Sequence, residues 1–267
     1  MGAAGNLSLS STNGTTIVNT TLVATTGSQT YSNPVTISQS ATLRAASITT
    51  SSTVGASSNA LTMTTDAISI GGVLSGTSSL VIQPYTSSTT IGLNTGTGNL
   101  NLNATEIGRL SGFSTITIGS TNGTGAINLT GTTSIGSSTT LRADSASIGI
   151  KGALNVTGNL TVNTTGTTTI SGANVNATGT QTYTGAVALG ATTALAGTTV
   201  TTQSTVSGGG YDLTINGNSN VGAAITNLGN YTVSGTTTLG GNVSATGNHT
   251  YTGLVTLSGA EIGRAHV

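Results

Sequence analysis

Pairs of aliphatic residues separated by one polar residue recur along almost the whole chain. Val35/Ile37, Leu80/Ile82, Ile91/Leu93, Leu100/Leu102, Ile116/Ile118 and Ile127/Leu129 show the pattern. So do Leu7/Leu9, Ile68/Ile70, Ile148/Ile150, Leu154/Val156, Leu160/Val162, Val187/Leu189, Leu213/Ile215 and Val255/Leu257. A period of two places both members of a pair on one face of a strand. The residue between is usually Thr, Ser or Asn, and Thr suits an exposed strand face. Between the short strands lie Gly, Asn and Ser, as in Asn122-Gly123 and Ser207-Gly208-Gly209-Gly210. These residues accept the positive φ of tight turns at little cost. No segment carries a helical apolar stripe, so the chain reads as all-β from end to end.

Composition narrows the function classes. Charged residues make up 4% of the 267 residues and the formal net charge is zero. Nucleic-acid binding needs a basic face to neutralise phosphates, so it is excluded. With no Cys, the chain has no disulfides, no structural thiolate zinc site and no thiol catalysis. Apolar runs are only a few residues long, far short of the roughly 20 that span a bilayer, so this segment is expected not to insert in a membrane. Met1-Gly2-Ala3-Ala4-Gly5 has neither the basic start nor the apolar core of a signal peptide.

Repeats decide the architecture. Gly166-Thr167-Thr168-Thr169-Ile170, continuing to Thr178-Gly179-Thr180-Gln181-Thr182-Tyr183-Thr184-Gly185, recurs as Gly235-Thr236-Thr237-Thr238-Leu239, continuing to Thr246-Gly247-Asn248-His249-Thr250-Tyr251-Thr252-Gly253. The offset is 69 residues (235 − 166), falling to 68 (251 − 183). A weaker copy is Thr26-Gly27-Ser28-Gln29-Thr30-Tyr31. Thr42-Leu43-Arg44-Ala45 recurs as Thr140-Leu141-Arg142-Ala143, 98 residues on (140 − 42). An offset of 68 or 69 divides into about three rungs of roughly 23 residues, within the solenoid range. The expected fold is therefore a parallel β-helix of roughly a dozen rungs of about 20–23 residues, a rod roughly 55–60 Å long at the strand spacing of about 4.8 Å. Aliphatic pairs would stack inside and Thr, Ser and Asn would form ladders outside. The scarcity of charge follows, because a charge in a ladder faces its own copy about 4.8 Å away and like charges repel.

The block from Thr178 through Tyr183 to Gly190, together with Val81-Ile82-Gln83-Pro84, Leu100-Asn101-Leu102-Asn103-Ala104-Thr105-Glu106-Ile107-Gly108-Arg109-Leu110 and Ile116-Thr117-Ile118-Gly119, resembles the repeats of very large bacterial surface proteins. Over residues 25–260 the chain is similar to filamentous-haemagglutinin-type exoproteins, exported by two-partner secretion or as autotransporters. The resemblance implies a β-helix, a secreted or outer-membrane, cell-surface location, and an adhesive or structural role. Glu261-Ile262-Gly263-Arg264-Ala265-His266-Val267 resembles a translated sequencing adapter, although Glu106-Ile107-Gly108-Arg109 gives it an internal precedent. The expected organisation is a repeat region over residues 1–260, part of a longer protein, and a non-native tail over 261–267.

No constellation points to catalysis, a cofactor or a metal. Paired-carboxylate chemistry needs two acids at one site, whereas Asp66, Glu106, Asp144 and Asp212 are scattered. Arg142, Asp144 and Lys151 form the nearest cluster. Arg142 and Asp144 share a strand face and are expected to make a surface ion pair; Glu106 and Arg109 are expected to pair at a turn. His249 stands where Gln29 and Gln181 stand in the other copies and reads as a surface variant in a polar ladder. Tyr31, Tyr183 and Tyr251 share one repeat position and read as stacked or capping core aromatics, or else as an exposed strip that touches sugars. Asn-x-Thr triplets such as Asn155-Val156-Thr157 are abundant in a chain so rich in both residues. Gly208-Gly209-Gly210 lacks the Lys-Ser/Thr of a phosphate loop and reads as a turn.

The expected function is a structural or adhesive shaft, not an enzyme, whose repetitive Thr/Ser/Asn faces serve attachment to host or environmental glycans or surfaces, or act as a spacer. Alternatives are a carbohydrate-active β-helix enzyme and an ice- or crystalline-surface binder. Thr-x-Thr occurs at Thr62/Thr64, Thr115/Thr117, Thr182/Thr184, Thr199/Thr201 and Thr250/Thr252, but at irregular spacing. Without polar caps, the stacking edges are expected to favour end-to-end self-association.

Overall fold

The computed structural model describes residues 5–258 apart from Thr12 and Ala173. The first four residues and the adapter-like segment 261–267, His266 included, lie outside the described residues. The chain winds as a parallel β-solenoid of about 12 turns. Each turn contains three short strands and so presents three faces. In the second turn these are Ser28–Tyr31, Val35–Ile37 and Ala41–Arg44; midway along the rod they are Ile148–Ile150, Leu154–Val156 and Leu160–Asn163. They define the first, second and third faces. Every strand pairs in parallel with its counterpart one turn away, so that Val35 lies beside Val54 and Ile127 beside Ile148. Thr193–Thr202 and Leu213–Val221 run round a corner without a break and belong to both the second and the third face.

The aliphatic pairs do what their alternation requires. Leu80/Ile82, Ile116/Ile118, Ile148/Ile150 and Leu160/Val162 are wholly buried, and they stack on equivalent residues of adjoining turns. The most exposed pair sits at the end of the described rod: Val255 and Leu257 are 37% and 57% exposed because no described strand pairs with their outer side.

The turns differ in length. A short one carries the chain from Leu213 to its lateral neighbour Tyr231, and a longer one from Ile116 to Thr139. This variation corrects the division of the long repeat into three rungs. Near the repeat the turns are shorter than that division requires: Leu160 lies beside Gln181, Gln181 beside Val200 and Leu213 beside Tyr231. The 68-residue offset therefore carries the chain through three turns and two further faces. Gln181–Tyr183 lies on the third face, His249–Tyr251 on the second, and Ser28–Tyr31 on the first. The 98-residue repeat does stay in register. Thr42, Thr62, Val81, Thr117 and Thr140 follow one another in a single column, so its two copies stack four turns apart.

One turn is much longer than the rest: Leu80 pairs with Ile116. Here the first face gains an extra strand, Leu100–Leu102, which pairs with Ile91–Asn94 and lies against Ala67–Ile70. The connecting loop 95–99 folds flat on the outside of the sheet. A Cβ at Gly96 would collide with the carbonyl of Asn128, so the loop needs glycine there. A five-residue helix α1 (Ala104–Gly108) follows and touches both Leu110–Ser111 and Thr133–Ile135 on the second face.

The corners break the strand ladder, and side chains from the neighbouring turn fill the gaps. Asn159 Oδ1 accepts the Thr180 N–H at 2.9 Å and Asn218 Oδ1 accepts that of Thr236 at 2.9 Å. Asp212 accepts from Asn230, which in turn accepts from Asn248. Threonine also enters the core. Thr168 lies between Ile148 and Val187 in an inward column, wholly buried, and its hydroxyl has no hydrogen-bond partner within the protein. An unpaired buried hydroxyl costs about 1–3 kcal/mol, and valine has nearly the same shape. Thr168→Val should therefore raise the midpoint of thermal unfolding followed by circular dichroism, whereas most core changes lower it; a lower midpoint would show that the hydroxyl is satisfied.

Candidate functional site

The repeated Gln-Thr-Tyr motif is an internal clip. Gln29 and Tyr31 both point inward and are fully buried. The Tyr31 hydroxyl donates to Gln29 Oε1 at 3.0 Å. Gln29 Nε2 donates to the carbonyls of Val23 at 3.0 Å and Arg44 at 2.9 Å, which belong to successive turns. Gln181 and Tyr183 repeat this at another corner. Tyr183 donates to Gln181 Oε1 at 2.8 Å, and Gln181 Nε2 donates to Val175 and Ala196 at 2.8 and 2.6 Å. Burial pushes the Tyr31 phenol up to about 12 and drives that of Tyr183 higher still. These tyrosines are therefore single core residues on different faces. They neither stack on one another nor form a sugar-touching strip, since Tyr31 and Tyr183 are inaccessible.

His249 needs a parallel correction. It continues an inward column through Leu213 and Tyr231, not an outward polar ladder. Its ring lies 6.5 Å from Tyr231 and 6.4 Å from Tyr251, and it is exposed in the last described turn of the second face.

The charged residues are not gathered as expected. Arg142 does not form the anticipated pair with Asp144: its Nε is buried without a partner, while the Asp144 backbone carbonyl accepts from Thr164 and Thr165. Lys151 follows the next strand and lies one corner further on. Glu106 and Arg109 meet at Ile70 instead of bonding to each other. Glu106 Oε1 accepts the Ile70 N–H at 3.0 Å, and an Arg109 Nη1 donor engages the Ile70 carbonyl. The other Glu106 oxygen accepts the Asn103 N–H while Asn103 Oδ1 accepts that of Glu106, a reciprocal cap on α1. Together they fasten the helix to the Ile70 end of Ala67–Ile70. Sequence spacing alone could not bring in Ile70, which lies 36 residues from Glu106 (106 − 70). Among the described residues no group of three or more His, Cys, Asp or Glu is placed to hold a metal, and no helix is long and apolar enough to cross a membrane.

The broadest organised surface is the third face. Its central outward column reads, turn by turn, Leu22, Thr42, Thr62, Val81, Thr117, Thr140, Thr161, Thr182, Thr201, Asn220, Thr238, Thr256, nine of twelve positions being threonine. The irregular sequence spacing of the Thr-x-Thr pairs thus conceals a regular spatial array: Thr62, Thr117, Thr182 and Thr201 share this column, and only Thr250 lies on another face. Outward columns elsewhere are mixed. The first face carries Asn128, Gly149, Thr169, Ala188 and Ser207, and the second carries Ser134, Asn155, Asn176, Ala196 and Asn216. A second outward column of the second face, Asn174, Ala194, Thr214, Thr232 and Thr250, carries threonine in three successive turns, a shorter run than that of the third face.

Comparison with protein-family models, with curated proteins and with solved structures finds no match.

At the edge of the third face, Asp66 organises the turn that opens the long insertion. Its Oδ1 accepts the N–H groups of Tyr85 and Thr86 at 3.0 and 2.8 Å and the Thr89 hydroxyl at 2.7 Å, and its Oδ2 accepts the Thr86 hydroxyl at 2.6 Å. The turn brings Tyr85 beneath the Arg44 guanidinium, 4.8 Å from the ring centre. Burial on its own would raise the Asp66 pKa; the hydrogen bonds from Thr86, Thr89 and Tyr85 outweigh it and hold the carboxyl below its ordinary 3.8. A depressed carboxylate contributes stability above its unfolded pKa and loses it as pH falls through the folded one. Asp66→Asn should melt below the parent protein at neutral pH, and the gap should close as pH falls below 3.8. A gap independent of pH would mean that charge plays no part in the clamp.

Proposed function

We propose that this chain is a shaft segment of a secreted or cell-surface bacterial protein of the filamentous-haemagglutinin type, and that its third face is an attachment surface. The observation that carries the reading is the threonine column, nearly unbroken over the whole described rod and unmatched on the other faces. The resemblance of its repeats to those of large exoproteins supports the reading. Each threonine offers a methyl and a hydroxyl at the strand spacing of about 4.8 Å. One such contact is weak, but a rigid row of them binds a repetitive, uncharged surface many times at once. Glycan-coated and polysaccharide surfaces have that chemistry. Asp66 and Glu106 are saturated by hydrogen bonds that hold turns together, which favours a passive surface over a glycan-cleaving enzyme. In the isolated segment the uncovered stacking edge, with the inward Val255 37% and Leu257 57% exposed, is where end-to-end association of copies would occur.

The same regularity favours a second reading, binding to ice or another crystal, for which a straight row matched to a lattice is the first requirement. One variant series separates the readings. Replacing Thr161, Thr182 and Thr201 together by Gln should leave the melting temperature near the parent value yet reduce retention on immobilised polysaccharide at least tenfold. Replacing Ser134, Asn155 and Asn176 by Gln on the second face should leave retention intact. Equal loss from both faces, or none from the third, would contradict the attachment face. Thermal hysteresis that vanishes with the third-face substitutions would select the crystal reading, and its absence from the parent protein would remove that reading.

A further inference from the structure

The long turn between Leu80 and Ile116 contributes residues of its own to a cleft. It measures about 490 Å³ and lies between the end of Ala67–Ile70, the end of Ile91–Asn94 and α1, with Ser69, Asn94, Asn103, Thr105, Glu106 and Arg109 among its lining residues. Insertions in a repeat array tend to mark a binding face, and departures from local regularity concentrate at functional sites.

Of the two charged groups of the cleft, only one keeps free hydrogen-bonding capacity. Glu106 is 7% exposed, and each carboxylate oxygen already accepts a backbone N–H, from Ile70 and from Asn103. Its oxygens are therefore committed within the protein, while its negative charge stays behind Arg109. Arg109 is only half-buried and commits one Nη donor to the Ile70 carbonyl. A guanidinium has five N–H donors in a planar fork that fits a carboxylate. The charged group that still has free hydrogen-bonding capacity in the cleft is thus Arg109, and around it stand amide and hydroxyl groups. Asn94 is fixed in the left-handed region at φ 62°, with its Nδ2 donating to the Thr132 carbonyl at 2.6 Å, so its position is set by the fold. Two other clefts, one along Ser134, Asn155 and Asn176 and one along Asp212, Asn230 and Asn248, have no cation in their linings.

We infer that this cleft binds a carboxylate-bearing saccharide, the uronate carboxyl meeting Arg109 and the ring hydroxyls meeting Asn94, Asn103 and Ser69. This singular site is independent of the multivalent threonine face, and either could exist without the other.

The test is calorimetric titration of the full chain with trigalacturonate and, separately, with its methyl ester, which keeps the rings and hydroxyls but removes the charge. The acid should bind at sub-millimolar concentration and weaken as salt is raised; the ester should bind at least tenfold more weakly. Thr105 is exposed and has no side-chain role in fastening α1, so Thr105→Tyr should obstruct the cleft, abolish binding and leave the melting temperature unchanged. No binding of the acid, equal binding of the ester, or parent-level affinity in Thr105→Tyr would each overturn the assignment. Equal competition by simple glutarate would overturn the saccharide and leave an anion site. Comparison of acid and ester on the parent protein needs no variant, and none of these outcomes tests the third face.

Discussion

The described strands are held to neighbouring turns by a parallel backbone ladder, and that ladder constrains everything else. Once one turn is seated, each residue of the next is committed to lie beside a particular residue of the first. An inward position must then be inward in every turn, and an outward position must tolerate a copy of itself about 4.8 Å away. The aliphatic column through Ile82, Ile118, Leu141 and Val162 and the threonine column through Thr117, Thr161 and Thr201 are two consequences of the same pairing. Low charge is a third. The charged side chains that do occur are placed at strand ends and corners, such as Arg44, Asp66 and Asp144, where stacking on an identical neighbour is avoided.

The ladder fixes the strands but leaves the corners free to vary, and most of the individuality of the molecule lies there. The step from Leu213 to Tyr231 is shorter than that from Ile116 to Thr139, yet neither disturbs a column. The Gln-Tyr clip shows why: it joins carbonyls of two successive turns at whichever corner it occupies, so one motif serves the first face at Gln29 and the third at Gln181. At Glu106 and Arg109 the same economy fastens a helix to the backbone of Ile70 in place of a strand neighbour. A long insertion is thereby absorbed within one turn, and the third face runs past it unbroken from Val81 to Thr117.

The strands and their inward residues were legible in the sequence because alternation is a local property. Leu80/Ile82 or Ile148/Ile150 needs nothing distant to be assigned. Phase was not legible. The copies containing Tyr31, Tyr183 and Tyr251 look equivalent, yet they sit on three faces, because the turn lengths between them do not divide the repeat evenly. For the same reason, Thr62, Thr117, Thr182 and Thr201 looked irregular while forming one column. In the sequence Gln29 and Gln181 look outward because amides usually are; only their contacts with two carbonyls each reveal why burial suits them. The cleft beside Arg109 depends on Ile70 and Asn94, and no local pattern joins those residues to the helix.

The register itself is the claim on which the faces, the clips and the cleft all rest, and the absence of native cysteine makes it directly measurable. Thr182 and Thr201 are separated by one full turn of chain and are expected to be lateral neighbours on the third face. Neighbouring strands lie about 4.8 Å apart, within the Cα separation that a disulfide spans. A chain carrying Thr182→Cys and Thr201→Cys should form an intramolecular disulfide rapidly and almost completely under mild oxidation. A chain carrying Thr182→Cys and Thr250→Cys, which pairs equivalent positions of the sequence repeat, should not. Failure of the first pair to close, or equal closure of both, would contradict the stacked register.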